Sequence, residues 1–258
     1  MKNKKGMATT LVAIGLTAVL TLGSTLAYLS TVTETKTNTF SSSKNIHTKL
    51  DETFNPEEAS SYRPGQAITK APTLANDSES AEDIWVAASL EYTNGAGNMS
   101  YEEFKQYAEI IDLDTTSWIK IATGADGSDL YMFKTKLAKG ETTDPAIFQK
   151  VQVNTGIKEV AKNGKDGKII YTIDENRKVV DIEDNTSIVD SKEYYVVGAD
   201  GKLEKISAAS IDDAVKGLPT FEIKVTGYAV QATDISEAQA KTELINLANN
   251  ALQTTFTA

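Results

Sequence analysis

The sequence has no cysteine and a single histidine, His47, among its 258 residues. Without thiols, neither a disulfide framework nor a thiolate metal site can form. One histidine excludes the zincin arrangement, which needs two histidines a helical turn apart with a glutamate between them. Serine hydrolysis would have one candidate base, and no Gly-x-Ser-x-Gly elbow accompanies it. His47 itself is expected in a strand beside Ile46, where a histidine ordinarily serves structure. No glycine-rich phosphate loop follows a strand. Basic residues are also outnumbered: 26 Lys and Arg face 36 Asp and Glu, for a net charge of −10. Such a balance argues against nucleic acid as a partner and against adsorption to anionic lipid. It favours solubility and divalent cations as bridges between molecules. The remaining composition, 40% hydrophobic and 24% charged, is that of one large globular domain or two small ones.

Long apolar runs are missing except at the start. Met1 to Gly6 reads MKNKKG, Met7 to Leu26 is apolar with scattered Thr, Ser and Gly, and Thr25-Leu26-Ala27 offers small residues. A basic n-region, an apolar h-region and a small-residue exit make a secretory signal peptide, 1–27, cleaved between Ala27 and Tyr28. The alternative is an uncleaved anchor, since about 20 apolar residues span a bilayer. Type IV prepilin processing after Gly6 would call for a glutamate at the fifth mature position, which is Leu11. Loss of 1–27 removes Lys2, Lys4 and Lys5 and no acid, taking the net charge from −10 by three to −13. Membrane contact is then confined to the signal peptide before cleavage.

Residues 27–40 read AYLSTVTETKTNTF, with threonine at 31, 33, 35, 37 and 39. In a strand these share one face, and Val32, Glu34, Lys36, Asn38 and Phe40 share the other. Threonine favours strands, yet neither face has much apolar surface to bury. Residues 28–50 are expected to be extended, as an N-terminal strand segment ahead of a domain at 51–258. Asp51 to Arg63 reads as polar and irregular, Pro64-Gly65 as a turn, and Ala67 to Leu74 as an extended segment that Pro72 assigns to a sheet edge.

Ile84 to Tyr92 alternates cleanly: Ile84, Val86, Ala88, Leu90 and Tyr92 on one face, Trp85, Ala87, Ser89 and Glu91 on the other. Ser100 to Ile111 changes period, with Tyr101, Phe104, Ala108 and Ile111 at helical spacing behind a Ser100/Glu103 capping box. Trp118–Ala122 and Leu130–Leu137 return to strands around an Asp126-Gly127 turn. Between 157 and 206, short strands are expected at Glu159–Ala161, Lys168–Ile173, Lys178–Ile182, Tyr194–Val197 and Leu203–Ile206. Turns such as Asp166-Gly167 and Asp200-Gly201 between neighbouring runs make this a β-hairpin insertion. Phe221 to Ala232 is the strongest strand, with Gly227 to Val230 apolar on both faces and therefore central. Ser236 and Gln239 open a second capped helix, whose apolar face of Leu244, Ile245, Ala248, Ala251 and Leu252 closes one end of a β-core. The expected class is all-β: a jelly-roll-like sandwich with short helical insertions and a β-hairpin insertion.

Chemistry is thinly represented. Asp212/Asp213 and Glu102/Glu103 are paired carboxylates of an acidic surface. Asp126 to Asp129 and Asp181 to Asp184 cluster hard oxygen ligands, but neither has the spacing of an EF-hand loop, and turns explain both. Leu218-Pro219-Thr220-Phe221 starts like a sortase signal and lacks its glycine. No enzyme, catalytic residue, cofactor or metal site is expected.

Four stretches carry a resemblance. Gly23 to Ser30 (GSTLAYLS) forms the signal exit with an aromatic at the new terminus, and Thr35 to Phe40 (TKTNTF) an early threonine-rich strand. Pro64 to Lys70 (PGQAITK), with Pro72 to Asn76 (PTLAN) and Ile84 to Ala88 (IWVAA), places a Pro-Gly turn before a core strand. Phe221 to Ala232 (FEIKVTGYAVQA) is a late core strand. In this order they resemble the TasA/camelysin family of Gram-positive surface and biofilm-matrix proteins. The ends match and the middle, 157–206, has no counterpart.

The resemblance implies a dedicated signal peptidase, a jelly roll that polymerises, and a secreted subunit of an extracellular matrix fibre or pilus-like filament. Its partners would be further copies of itself and other matrix proteins. It also implies that an N-terminal strand completes the sheet of the next subunit. That expectation falls on Leu29, Val32, Thr33, Thr35, Thr37, Thr39 and Phe40; the acceptor edge belongs to the jelly roll, and the sequence alone does not locate it, 221–232 being one candidate. Camelysin-type metallopeptidase activity finds no support in one histidine and no cysteine. The alternative is a monomeric cell-surface adhesin or binding module, with its ligand surface on 157–206.

Overall fold

The computed structural model of the chain describes residues 46–182, 188–211 and 215–257. The fold is all-β. The first strand, β1 (Thr48–Phe54), is followed by a one-turn helix, α1 (Pro56–Ser60), and by β2 (Ala67–Asn76) and β3 (Ile84–Thr93). A short β4 (Asn98–Met99), a second one-turn helix α2 (Tyr101–Phe104) and β5 (Ala108–Ile111) come next. The hairpin β6 (Trp118–Gly124) and β7 (Asp129–Phe133) then leads to β8 (Lys150–Val153). One sheet has the order β1-β2-β8-β5. The other sheet contains β3, β7 and β6, with β4 beside β3 and with β15 (Glu222–Gln231) and β16 (Phe256–Thr257) at its two ends.

The two sheets face each other across one core. Ile84, Val86, Ala88, Leu90 and Tyr92 of β3 point into it, against Leu74, Trp118, Phe148 and Val151. The opposite face of β3 carries Trp85 and Ala87 onto a second core with Met132, Tyr228, Val230 and the helix α3 (Glu237–Leu252). The molecule is therefore layered sheet, sheet, helix. That arrangement explains why β3 is apolar on both faces.

Between β8 and β15 the chain builds the hairpin insertion. It comprises β9 (Val160–Lys162), β10 (Tyr171–Ile173), β11 (Val179–Asp181), β12 (Tyr194–Val197), β13 (Leu203–Ile206) and β14 (Val215–Gly217). Four of these pair in the order β11-β10-β12-β13, and β14 pairs with β9. Ala161, Ile170, Ile182 and Tyr194 form a small core of their own.

Several local expectations give way. The capping box at Ser100/Glu103 is present, but α2 ends at Phe104, and Ala108–Ile111 pairs with β8 in the register Ala108↔Val153 and Ile110↔Val151. Ala108 and Ile110 fit a period of two as well as the other residues fit a helix, and the sheet ladder decides. Asp51 to Phe54 is strand, not irregular: β1 pairs with β2 from Thr48↔Asn76 to Phe54↔Lys70, across the expected boundary at 50/51. As an exposed sheet edge, β1 is held by ladder bonds and needs no apolar alternation. Asn55 then caps α1, its side-chain oxygen accepting from the backbone N–H of Glu57 at 3.1 Å and Glu58 at 3.3 Å, with Pro56 in the first turn.

Pro72 lies in an internal strand, not at an edge. Its neighbour on that side is the irregular segment before β8, whose Ile147 N–H donates to the Pro72 carbonyl at 3.2 Å, so no regular ladder is broken. The helix α3 lies on the outer face of a sheet and not at the end of the core. It buries Ala240, Leu244 and Ala248 and leaves Ala251 exposed.

Candidate functional site

The stretch expected to be most central is an edge strand. β15 pairs with β3 over ten residues, from Glu222↔Thr93 to Gln231↔Ile84; among the described residues no second strand is paired with it, although β1 approaches it. Its second half is apolar on both faces because it sits between two layers: Ala229 packs on the sandwich core, and Tyr228 and Val230 on α3. Apolarity on both faces thus reports layering and not lateral position in a sheet. Glu222 and Lys224 at the start of the strand and Gln231 at its end are exposed. Charged residues on an edge discourage unspecific pairing, while the backbone N–H and C=O groups remain able to receive another strand.

The beginning of β15 borders a groove of about 730 Å³. Its opposite wall is the end of β1 and the α1 turn, with Ile68 and Val151 also lining it. Tyr62 closes one side. Its hydroxyl donates to the Pro219 carbonyl at 2.6 Å, its ring lies 5.2 Å from that of Phe221, and burial pushes its ionisation upward. Phe221 continues into an aromatic cluster, 5.9 Å from Tyr107 and 5.6 Å from Phe104. Phe54 stands at the rim, 43% exposed, with the Lys70 ammonium 5.1 Å above its ring. Lys70 also pairs with Glu52 at 2.5 Å.

A second concavity, of about 600 Å³, separates the hairpin insertion from the sandwich. Asp181 of β11 lines it. The Tyr107 hydroxyl donates to Asp181 Oδ2 at 3.0 Å and the Asn94 Nδ2 to Oδ1 at 3.3 Å. The Tyr171 hydroxyl donates to the Asn94 carbonyl at 3.0 Å, tying the insertion to the end of β3. Burial raises the Asp181 carboxyl above the usual aspartate range, and the Tyr107 bond offsets this in part. Nearer solvent, Lys178 pairs with Glu103 at 2.5 Å. That contact, with the bonds from Ser100, holds the Glu103 carboxyl down at about 2.

The residues named for signal cleavage, Ala27 and Tyr28, and for the donated strand, Leu29, Val32, Thr33, Thr35, Thr37, Thr39 and Phe40, lie outside the described residues. Asp184, Asp212 and Asp213 do as well. His47 precedes β1; its backbone N–H donates to Ser78 Oγ at 2.9 Å and its Nδ1 meets Asp77. Asp126 shapes the β6–β7 turn by accepting from the backbone N–H of Ser128 at 3.2 Å and its hydroxyl at 2.6 Å. Asp129 is buried, paired with Lys120 at 2.5 Å and hydrogen-bonded by the Tyr92 hydroxyl at 3.2 Å. Glu102 pairs with Lys105 at 2.8 Å. Among the described residues, no group of three or more His, Asp or Glu is placed to hold a metal ion.

The groove and the Asn94–Tyr107–Asp181 node escaped the sequence reading. In the sequence Asn94-Gly95 reads as a strand terminator, and Asp181 as part of the strand Lys178–Ile182 and of the Asp181–Asp184 cluster. Comparison with family models, characterised proteins and solved structures found no match to this chain.

Proposed function

We propose that this protein is a secreted structural subunit of an extracellular fibre. In this reading, residues 28–40 of one copy add as a strand to the β15 edge of the next. The observation that supports it is the ten-residue edge of β15, paired on one side only among the described residues and bordered by an apolar groove. An incoming strand gains main-chain hydrogen bonds along that edge, and its sparse apolar side chains need only a few pockets to set register. Leu29, Val32 and Phe40 supply such side chains. The weak hydrophobicity of 28–40, a poor reason to fold within one subunit, then becomes useful. The strand stays soluble until an edge captures it. In the same reading, a dedicated signal peptidase frees the strand by cutting between Ala27 and Tyr28.

The test compares residues 28–258 with 41–258 by negative-stain electron microscopy at equal concentration. Filaments from the longer protein alone support the reading. The variant Phe40→Glu in the longer protein should shorten or abolish them. Folded monomers in both samples reject strand donation.

The second reading, a binding module at the cell surface, draws on the cleft between insertion and sandwich. It expects ligand binding that survives removal of 28–40.

A further inference from the structure

The cleft beside the insertion presents one carboxylate, Asp181, that no cation among the described residues balances. Asp181 is partly withdrawn from water, and no lysine or arginine among the described residues pairs with it. The two lysines lining that side are engaged in other ways: Lys178 is bound to Glu103 at 2.5 Å, and Lys158, exposed at the rim, has an interaction of its own. Two neutral donors, Tyr107 and Asn94, hold the carboxylate by one bond to each oxygen. Neutral donors fix its orientation but leave its charge uncompensated. Charges count for more in such a site than on the open surface.

The walls narrow the choice of ligand. Met99, Ile157, Val179 and Pro219 line the cleft with apolar surface, and Ile157 and Met99 pack on the sandwich core from there. A hard divalent cation asks for six or more oxygens, which one carboxylate with its neighbours does not offer. A guanidinium fork prefers a carboxylate with both oxygens free, and here each already accepts a bond. A compact ammonium on an aliphatic stem satisfies both features: its charge meets Asp181 and its methylenes lie along the apolar walls.

We propose that this cleft is a binding site for a primary alkylammonium group, with the shape and charge of a lysine side chain. It is formed jointly by insertion and sandwich, because Asp181 comes from one and Asn94 and Tyr107 from the other. The proposal rests on neither β15 nor strand donation, so it stands or falls apart from fibre assembly.

Ligand-observed saturation-transfer NMR on residues 28–258 tests it, because this readout works on monomers and filaments alike. The probes are Nα-acetyl-lysine methylamide, its neutral isostere Nα-acetyl-norleucine methylamide, the arginine analogue, and the free diamine cadaverine. The expected result is saturation of the lysine probe, strongest at its ε-methylene, with at least tenfold weaker binding of the norleucine probe. Asp181→Asn should weaken the lysine probe at least tenfold while the melting temperature stays at or above that of the unaltered protein. Equal binding of the norleucine probe, tighter binding of the arginine analogue, or no saturation by any probe would overturn the proposal. A retained affinity in Asp181→Asn would do the same. Cadaverine binding as well as the lysine probe identifies a free amine as sufficient; preference for the lysine probe identifies a polypeptide lysine. Both outcomes support the site.

Discussion

Asp181 is the residue at which burial and charge compete most openly. Its carboxyl is raised by desolvation, so the folded state binds a proton more tightly than the unfolded one. The associated stability is complete below the ordinary aspartate range, near pH 4, and is lost as pH rises through the raised value. Asp181→Asn should therefore melt at or above the unaltered protein at pH 7, with the difference closing near pH 4; calorimetry over that range reads it. Glu103 runs the other way. Its carboxyl is lowered to about 2 by Lys178 and Ser100, so its contribution is present above 4.5 and lost as pH falls toward 2. The pair is exposed, 64% at Lys178 and 44% at Glu103, and screening limits it to about 0.5 kcal/mol. Glu103→Gln should cost about that much at pH 7 and nothing measurable at pH 2. The sequence marked Asp181 as acidic but not as buried, because its donors lie 74 and 87 residues away along the chain.

At the scale of elements, the turns and caps were the most legible features. Ser236 caps α3, accepting from the Gln239 N–H at 3.3 Å, while Gln239 Oε1 accepts from the Ser236 N–H at 2.9 Å. Ser236→Ala should cost about 1 kcal/mol, measurable by urea denaturation. Leu244, fully buried between α3 and the sheet, should cost about 3 kcal/mol as Leu244→Ala. If α3 were a loosely attached helix, neither change would move the global transition. The hairpin strands of the insertion lie close to their expected positions because turn chemistry is local: Arg177, Gly167 and Gly201 adopt the positive φ values that their turns need. The helix expected over Ser100 to Ile111 failed for the opposite reason. Its cap was local, but its continuation depended on β8, some forty residues downstream.

For the whole molecule, charge would set the terms of the proposed assembly. If 1–27 is removed, each copy carries −13, and copies docking through an uncharged backbone edge would still repel one another. If strand donation builds fibres, residues 28–258 should assemble faster as salt rises from about 10 mM to 150 mM, where the Debye length falls from about 30 to 8 Å. Light scattering follows it; assembly that slows with salt would point to an interface made of opposed charges instead. The layer order governs the site as well. One edge of the inner sheet is β15, and the groove at its start exists because β1 and α1 end opposite Phe221.

The sequence by itself determined the class and most strands of this protein. Alternation, capping boxes and Asp-Gly turns act within a few residues and need no distant partner. It also excluded disulfides, thiolate sites and any site built on two histidines, since folding cannot supply a cysteine or a second histidine. Only the tertiary structure decided where β15 sits in its sheet. A strand covered on two faces and a strand paired on two sides look alike in one dimension, and the difference between them separates a central strand from one at the end of its sheet. The same holds for the cleft, whose carboxylate and donors become a site only when the insertion docks against the sandwich.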